Sequence, residues 1–236
     1  MIKLVGVSPI EAYWIIEYMD NAKKEIGVHD FDLVVVRGEE NLKRVLGRFW
    51  TPESSQFYAL HIAMDKPTVI VRLDVPNRDL LESSIYHELA HAKLHGHRRF
   101  YEIGVPREVL SLGDIAPRVL YLVSIAVKDY EVSSFLSSVG LAKTQDPLLK
   151  IMLEPDNIPW SSLSPSALIL ALASKLKPIM FSLPLIGPKT VLDRMKDVPR
   201  RFLEWVIDKS SQLRGDTVSN IRYIAKEFAN FLSSLL

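Results

Sequence analysis

The sequence predicts an α+β protein: a small mixed sheet of about three strands, a histidine-bearing helix, a glutamate-bearing helix, and then an α-helical C-terminal region. Three observations carry this. Short β-branched runs are confined to the first 75 residues. Long apolar segments with helical spacing fill most of the remaining chain. Gly, Pro and Asn punctuate the junctions between them.

The elements run in order along the chain. Ser8-Pro9-Ile10-Glu11 is a capping box with proline at the first helical position, and it opens an amphipathic helix that runs to about residue 25 and stops at Gly27. "DFDLVVVRG" is a strand at about 31–37. "NLKRVLGRFW" fits a short helix. "QFYALHIAMDKPTVIVRLDV" reads as a hairpin, with strands at 57–62 and 68–73 and a turn at 64–67. Asn77 or Asp79 caps the next helix, which carries the histidines and ends at Gly96. A long helix, apolar nearly all round and therefore buried, spans 117–138 and is ended by Gly140. Residues 141–166 are rich in Pro, Asp and Ser and mark the domain boundary, giving 1–140 and 141–236, two parts that can still pack as one domain. Helices at about 166–177, 189–212 and 216–235 complete the chain.

Composition limits the chemistry. The 236 residues carry a net charge of +1, so nothing calls for a nucleic-acid partner. Residues 189–236 hold nine Lys/Arg against six Asp/Glu, an excess that suits a solvated helical surface. There is no cysteine, so a metal must sit on His, Asp or Glu, which suits Zn²⁺. The apolar stretch 163–187 contains Lys175, Lys177, Pro178 and Pro184. Its uninterrupted run, 167–173, falls far short of the roughly 20 residues that a membrane span needs. Without a span or a signal peptide in the N-terminal run, the expected location is cytoplasmic.

Four of the six histidines lie in "HELAHAKLHGH", residues 87–97. His87 and His91 are four apart on a helix, so they stack on one face about 6 Å apart, close enough to share one metal ion. Glu88 lies about 100° further round, where it can take a proton from water without being a ligand. His91 and His95 repeat the spacing, but Ala92 follows His91, so that pair has no carboxylate base beside it.

A third ligand has two candidates. His97 lies six residues after His91, the third-histidine position of H-E-x-x-H-x-x-G-x-x-H. Leu94 occupies that motif's glycine position, so the helix is expected to run on past the point where the chain would turn back. The other candidate is a carboxylate of the next helix. Asp129 and Glu131 are two apart, about 200° round a helix, so only one can face a given metal. Glu131 shares its face with Ser124, Ser134 and Ser138, and a buried carboxylate needs a partner. These points favour Glu131.

Strands followed by His87-Glu88-Leu89-Ala90-His91 and then a buried helix with a glutamate make residues 8–140 resemble gluzincin-type zinc peptidases, in particular minigluzincins and ImmA/IrrE-like metalloproteases. Asp129-Tyr130-Glu131-Val132-Ser133-Ser134-Phe135-Leu136 is similar to the glutamate helix E-x-E-A-N-x-F-A of the latter group. The resemblance implies a zincin-like fold, with Glu131 as third ligand and Asp129 beside the site. It also implies that strand 57–62 is a sheet edge that binds a substrate backbone.

The expected function is therefore hydrolysis of peptide bonds in a peptide or protein substrate. His87, His91 and Glu131 would hold Zn²⁺ and Glu88 would act as general base. His95, His97, Tyr101 and Tyr130 are candidates to steady the oxyanion. The alternative is a zinc-bearing regulatory or scaffold protein without turnover, whose C-terminal helices bind a partner or cover the cleft.

Overall fold

The structure, a computed structural model, describes residues 1–63 and 65–234. It is a mixed α+β fold with one four-stranded sheet and a helical C-terminal region. Two compact units divide the described chain. One comprises Met1–Tyr101 and Ser138–Leu148, the other Glu102–Ser137 and Leu149–Leu236. The sequence expectation divides the chain once, at residue 140. In the fold, the helix before that point groups with the C-terminal helices, and a short segment after it groups with the sheet.

The first unit is built on strands β1 (Ile2–Val5), β2 (Asp32–Val36), β3 (Ala59–Ala63) and β4 (Pro67–Arg72), in the order β1-β2-β4-β3. The sheet thus has four strands rather than three. β1 escapes a sequence reading because four residues are too few to show alternation, and its pairing partner lies some thirty residues away. β1, β2 and β4 run parallel, and β3 is antiparallel to β4. The continuous Leu33-Val34-Val35-Val36 run suits β2's central place, covered on both faces. Part of the expected hairpin turn falls on Met64, and the end of the last expected helix on Leu235; both lie outside the described residues.

Helix α1 (Pro9–Ile26) connects β1 to β2. Its Ser8–Glu11 capping box is formed in both directions, and Gly27 closes it in the left-handed conformation, with φ 70°. α2 (Glu39–Leu46) covers one face of the sheet, packing Leu42 and Leu46 on Val34, Val36 and Ile70. By the alternation of strands, Val69, Val71 and their register partners His61 and Ala59 point to the opposite face. α3 (Arg78–His95), capped by the Asn77 side chain, packs against β3, β4 and α1. It is buried on almost every side, which positions the histidines.

Two short helices, α4 (Arg107–Leu110) and α6 (Asp146–Met152), stand before and after α5 (Ala116–Ser138) in the chain; in the second unit α5, α7 (Pro165–Arg194), α8 (Arg200–Ser211) and α9 (Thr217–Ser233) share one core, including Val123, Val127, Leu176, Ile179, Phe202 and Phe228. Two expected boundaries move. The helix expected to stop near 177 continues through Pro178 and Pro184, and its non-helical break comes at Gly187, with φ 75° and ψ 161°. Proline in a helix interior costs about 3 kcal/mol. The full burial of Ile179, Met180 and Phe181 between these prolines offsets it. The single helix expected over 189–212 is two, because Pro199 holds Val198 out of helical conformation and starts α8 afresh.

α7 is also the one helix among the described residues long and apolar enough to cross a membrane. Its buried residues, Leu172, Leu176, Ile179 and Met180 among them, belong to the core of the second unit. Lys175, only 3% exposed, pairs with Asp156 at 2.9 Å and Asp197 at 3.2 Å, and Lys177 pairs with Asp129 at 3.0 Å.

The capping box yields a measurable contribution. Ser8→Ala leaves the N-terminal amides of α1 without their side-chain acceptor and should lower stability by about 1 kcal/mol in urea unfolding, with the m-value unchanged.

Candidate metal centre

In the first unit, His87, His91 and His95 climb one face of α3, one turn apart and all buried. The His87 and His91 rings lie nearly perpendicular, with centroids 4.7 Å apart, and their Nε2 atoms approach to 3.1 Å. Two imidazole nitrogens on one tetrahedral zinc, each about 2.0–2.1 Å from it, stand roughly 3.3–3.4 Å apart. The two side chains are therefore already close to the separation that a shared cation requires. On the other side of the His91 ring, Nδ1 lies 3.0 Å from His95 Nδ1.

Further groups surround this ladder. His87 Nδ1 lies 3.2 Å from Gln145 Oε1, on the short 3₁₀ helix Ala142–Gln145. His61, on β3, lies parallel to the His91 ring at 6.3 Å, and its Nδ1 is 3.1 Å from the Tyr101 hydroxyl. Glu88 Oε2 accepts a 2.8 Å hydrogen bond from the backbone N–H of His61. Arg72 N–H donates to Tyr58 O, so in this register residues 58, 60 and 62 direct their amides to β4, and His61 directs its amide outward. Glu88 thus caps an outward amide of the terminal strand, which orients its carboxylate.

His97 stands apart from the ladder. It is exposed, and its Nδ1 accepts from Arg99 N–H at the start of a 3₁₀ turn, Arg98–Phe100. The helix holds its path to His95, as Leu94 leads one to expect, and Gly96 keeps φ −64° rather than a left-handed turn. A Cβ at Gly96 would stand 2.5 Å from Pro67 Cγ, so glycine there serves close approach of the helix end to β4.

In the second unit, α5 separates its two acids as helix phase demands. Asp129 is 4% exposed and pairs with Lys177 at 3.0 Å. Glu131 is half-buried, and both its oxygens are engaged by the first turn of α9. Oε2 accepts from Thr217 Oγ1 and Oε1 from Asn220 Nδ2, each at 2.8 Å. Tyr130 packs against the helical core.

No protein-family model, curated protein or solved structure matches the chain. His61 and Gln145 are the site neighbours that a sequence reading passes over. Alternation in 57–62 puts His61 on the same face as Ala59, but which face meets α3 depends on the sheet. Gln145 carries no motif and reaches His87 only through the chain's return after α5.

Burial pushes the Lys128 ammonium down to about 8 from an ordinary 10.5, and the Asp129 and Glu131 carboxylates only partly oppose this. Between pH 8 and 10.5 the unfolded chain binds the proton that the folded chain has released, so this group's contribution to stability rises with pH across that window. Lys128→Met should therefore be the more stable protein at pH 7, by up to about 3 kcal/mol, with its advantage over wild type shrinking as pH rises from 8 to 10.5 in parallel unfolding titrations.

Proposed function

We propose that the chain is a zinc-dependent metallopeptidase. The observation that carries this reading is the buried His87–His91 pair, its Nε2 atoms 3.1 Å apart, with Glu88 held one residue along the same helix. Two imidazoles and a carboxylate in a chain without cysteine suit zinc. In this reading a carboxylate of α5 completes the ligand set, Glu131 or its neighbour Asp129; each already has a protein partner, Glu131 in Thr217 and Asn220 and Asp129 in Lys177, so metal analysis chooses between them.

A zinc ion bound there supplies Lewis acidity, which polarises a carbonyl and makes water acidic near neutral pH. The residues of the chain do the rest. Glu88 receives the proton of the attacking water on its carboxylate and returns it to the leaving amine. The His61 amide keeps that carboxylate from rotating. His61 and Tyr101, joined through Nδ1 and the hydroxyl, are hydrogen-bonding groups suited to the oxyanion. Apart from the His61 amide that Glu88 occupies, the outward edge of β3 is a backbone surface that an extended peptide can join.

Two measurements test this. Metal analysis of purified protein should give about one zinc per chain for wild type and His97→Ala, and a large loss for His87→Ala and for one of Glu131→Gln and Asp129→Asn, which identifies the carboxylate ligand. Zinc kept by both carboxylate variants would remove α5 as the source of the third ligand. Glu88→Gln should keep its zinc and lose peptide cleavage by at least about 10²-fold, measured on a peptide library. A zinc-loaded wild type that cleaves nothing in that library would favour a regulatory, non-hydrolytic metal protein.

A further inference from the structure

A metal-binding imidazole must present an unprotonated nitrogen. A neutral histidine carries its proton on either ring nitrogen, so something must choose between them. Around His87, the hydrogen-bond directions make that choice.

The chain of bonds starts at the backbone. Thr144 Oγ1 lies 2.7 Å from Leu141 O, a carbonyl that can only accept, so the threonine hydroxyl donates there. Its oxygen therefore accepts from Gln145 Nε2, at 3.1 Å. The same Gln145 Nε2 faces a second carbonyl, Ser83 O, at 3.4 Å. Turning the amide over would set its oxygen against the Ser83 carbonyl, two acceptors face to face. The Gln145 amide thus has one favourable orientation, with Oε1 toward His87 Nδ1 at 3.2 Å. Oε1 can only accept, so Nδ1 carries the proton and Nε2, the atom 3.1 Å from His91, does not.

We infer that Gln145 is a positioning residue that locks His87 in its Nδ1–H tautomer and so sets the metal affinity of the His87–His91 pair. The affinity part rests on the metallopeptidase reading; the tautomer part stands without it. Gln145 is fully buried, so water does not substitute for its oxygen once the side chain is replaced. Its bond to Ser83, one turn before His87 on α3, also ties the 3₁₀ segment to the helix that bears the ligand.

Two readouts test the inference. In ¹⁵N-histidine correlation spectra of metal-free wild type, the His87 signals should be those of an Nδ1–H imidazole, and an Nε2–H pattern would overturn the assignment. In competition with a chelator, zinc affinity should fall about 10–100-fold in Gln145→Leu. Gln145→Glu keeps an acceptor for Nδ1–H but sets its second oxygen against Ser83 O, so it should recover only part of that loss. Wild-type affinity in a folded Gln145→Leu, verified by circular dichroism, would overturn the positioning role. If Gln145→Leu does not fold, the wild-type spectrum decides on its own. A wild type that binds no zinc would remove the metallopeptidase reading, and the His87 spectrum would still decide what Gln145 does.

Discussion

Two imidazole nitrogens stand 3.1 Å apart in a buried place, and much of the first unit is organised around keeping them there. Lone pairs at that distance repel unless a proton or a cation lies between them. The helix supplies the spacing at no extra cost, since residues four apart stack on one face. What costs free energy is holding such polar rings away from water, and each ring meets this with a partner on its far side. His87 has Gln145, and His91 has His95. The ladder is a set of mutually satisfied groups that leaves one pair of nitrogens facing each other.

That arrangement depends on α3 being fixed from several directions. The helix lies on β3, β4 and α1. Gly96 lets its last turn meet Pro67 more closely than any side chain would allow. Glu88 ties it to the outward amide of His61. The last bond links strand and helix at the position where a base is required, so the group that would handle the proton is also held by the sheet edge. A carboxylate fixed in this way loses little rotational freedom when it acts.

The second unit solves a related problem with the same residue types. Its core helices carry lysines and acids at buried positions, and several are met within the unit: Lys175 by Asp156 and Asp197, Lys177 by Asp129, Glu131 by Thr217 and Asn220. Glu131 shows why an acid on an apolar helix is an ambiguous sign. Such a carboxylate needs a partner, but the partner can be a helix N-terminus bearing hydroxyl and amide donors as readily as a metal.

The features that sequence by itself determined are those set by local geometry. The capping box of α1, the left-handed Gly27, the phase that stacks His87 on His91, and the uninterrupted helix through Leu94 that separates His97 from them all come from spacings of a few residues. The buried character of α5 and the 200° separation of Asp129 and Glu131 arise in the same way. Tertiary structure decided everything that needed a distant partner. β1 is a strand only because β2 lies beside it, and α7 passes through two prolines only because its surroundings bury it. His61 faces α3 because of how the sheet pairs, and Gln145 reaches His87 from 58 residues away. Helix periodicity says which residues share a face; only packing says what that face meets.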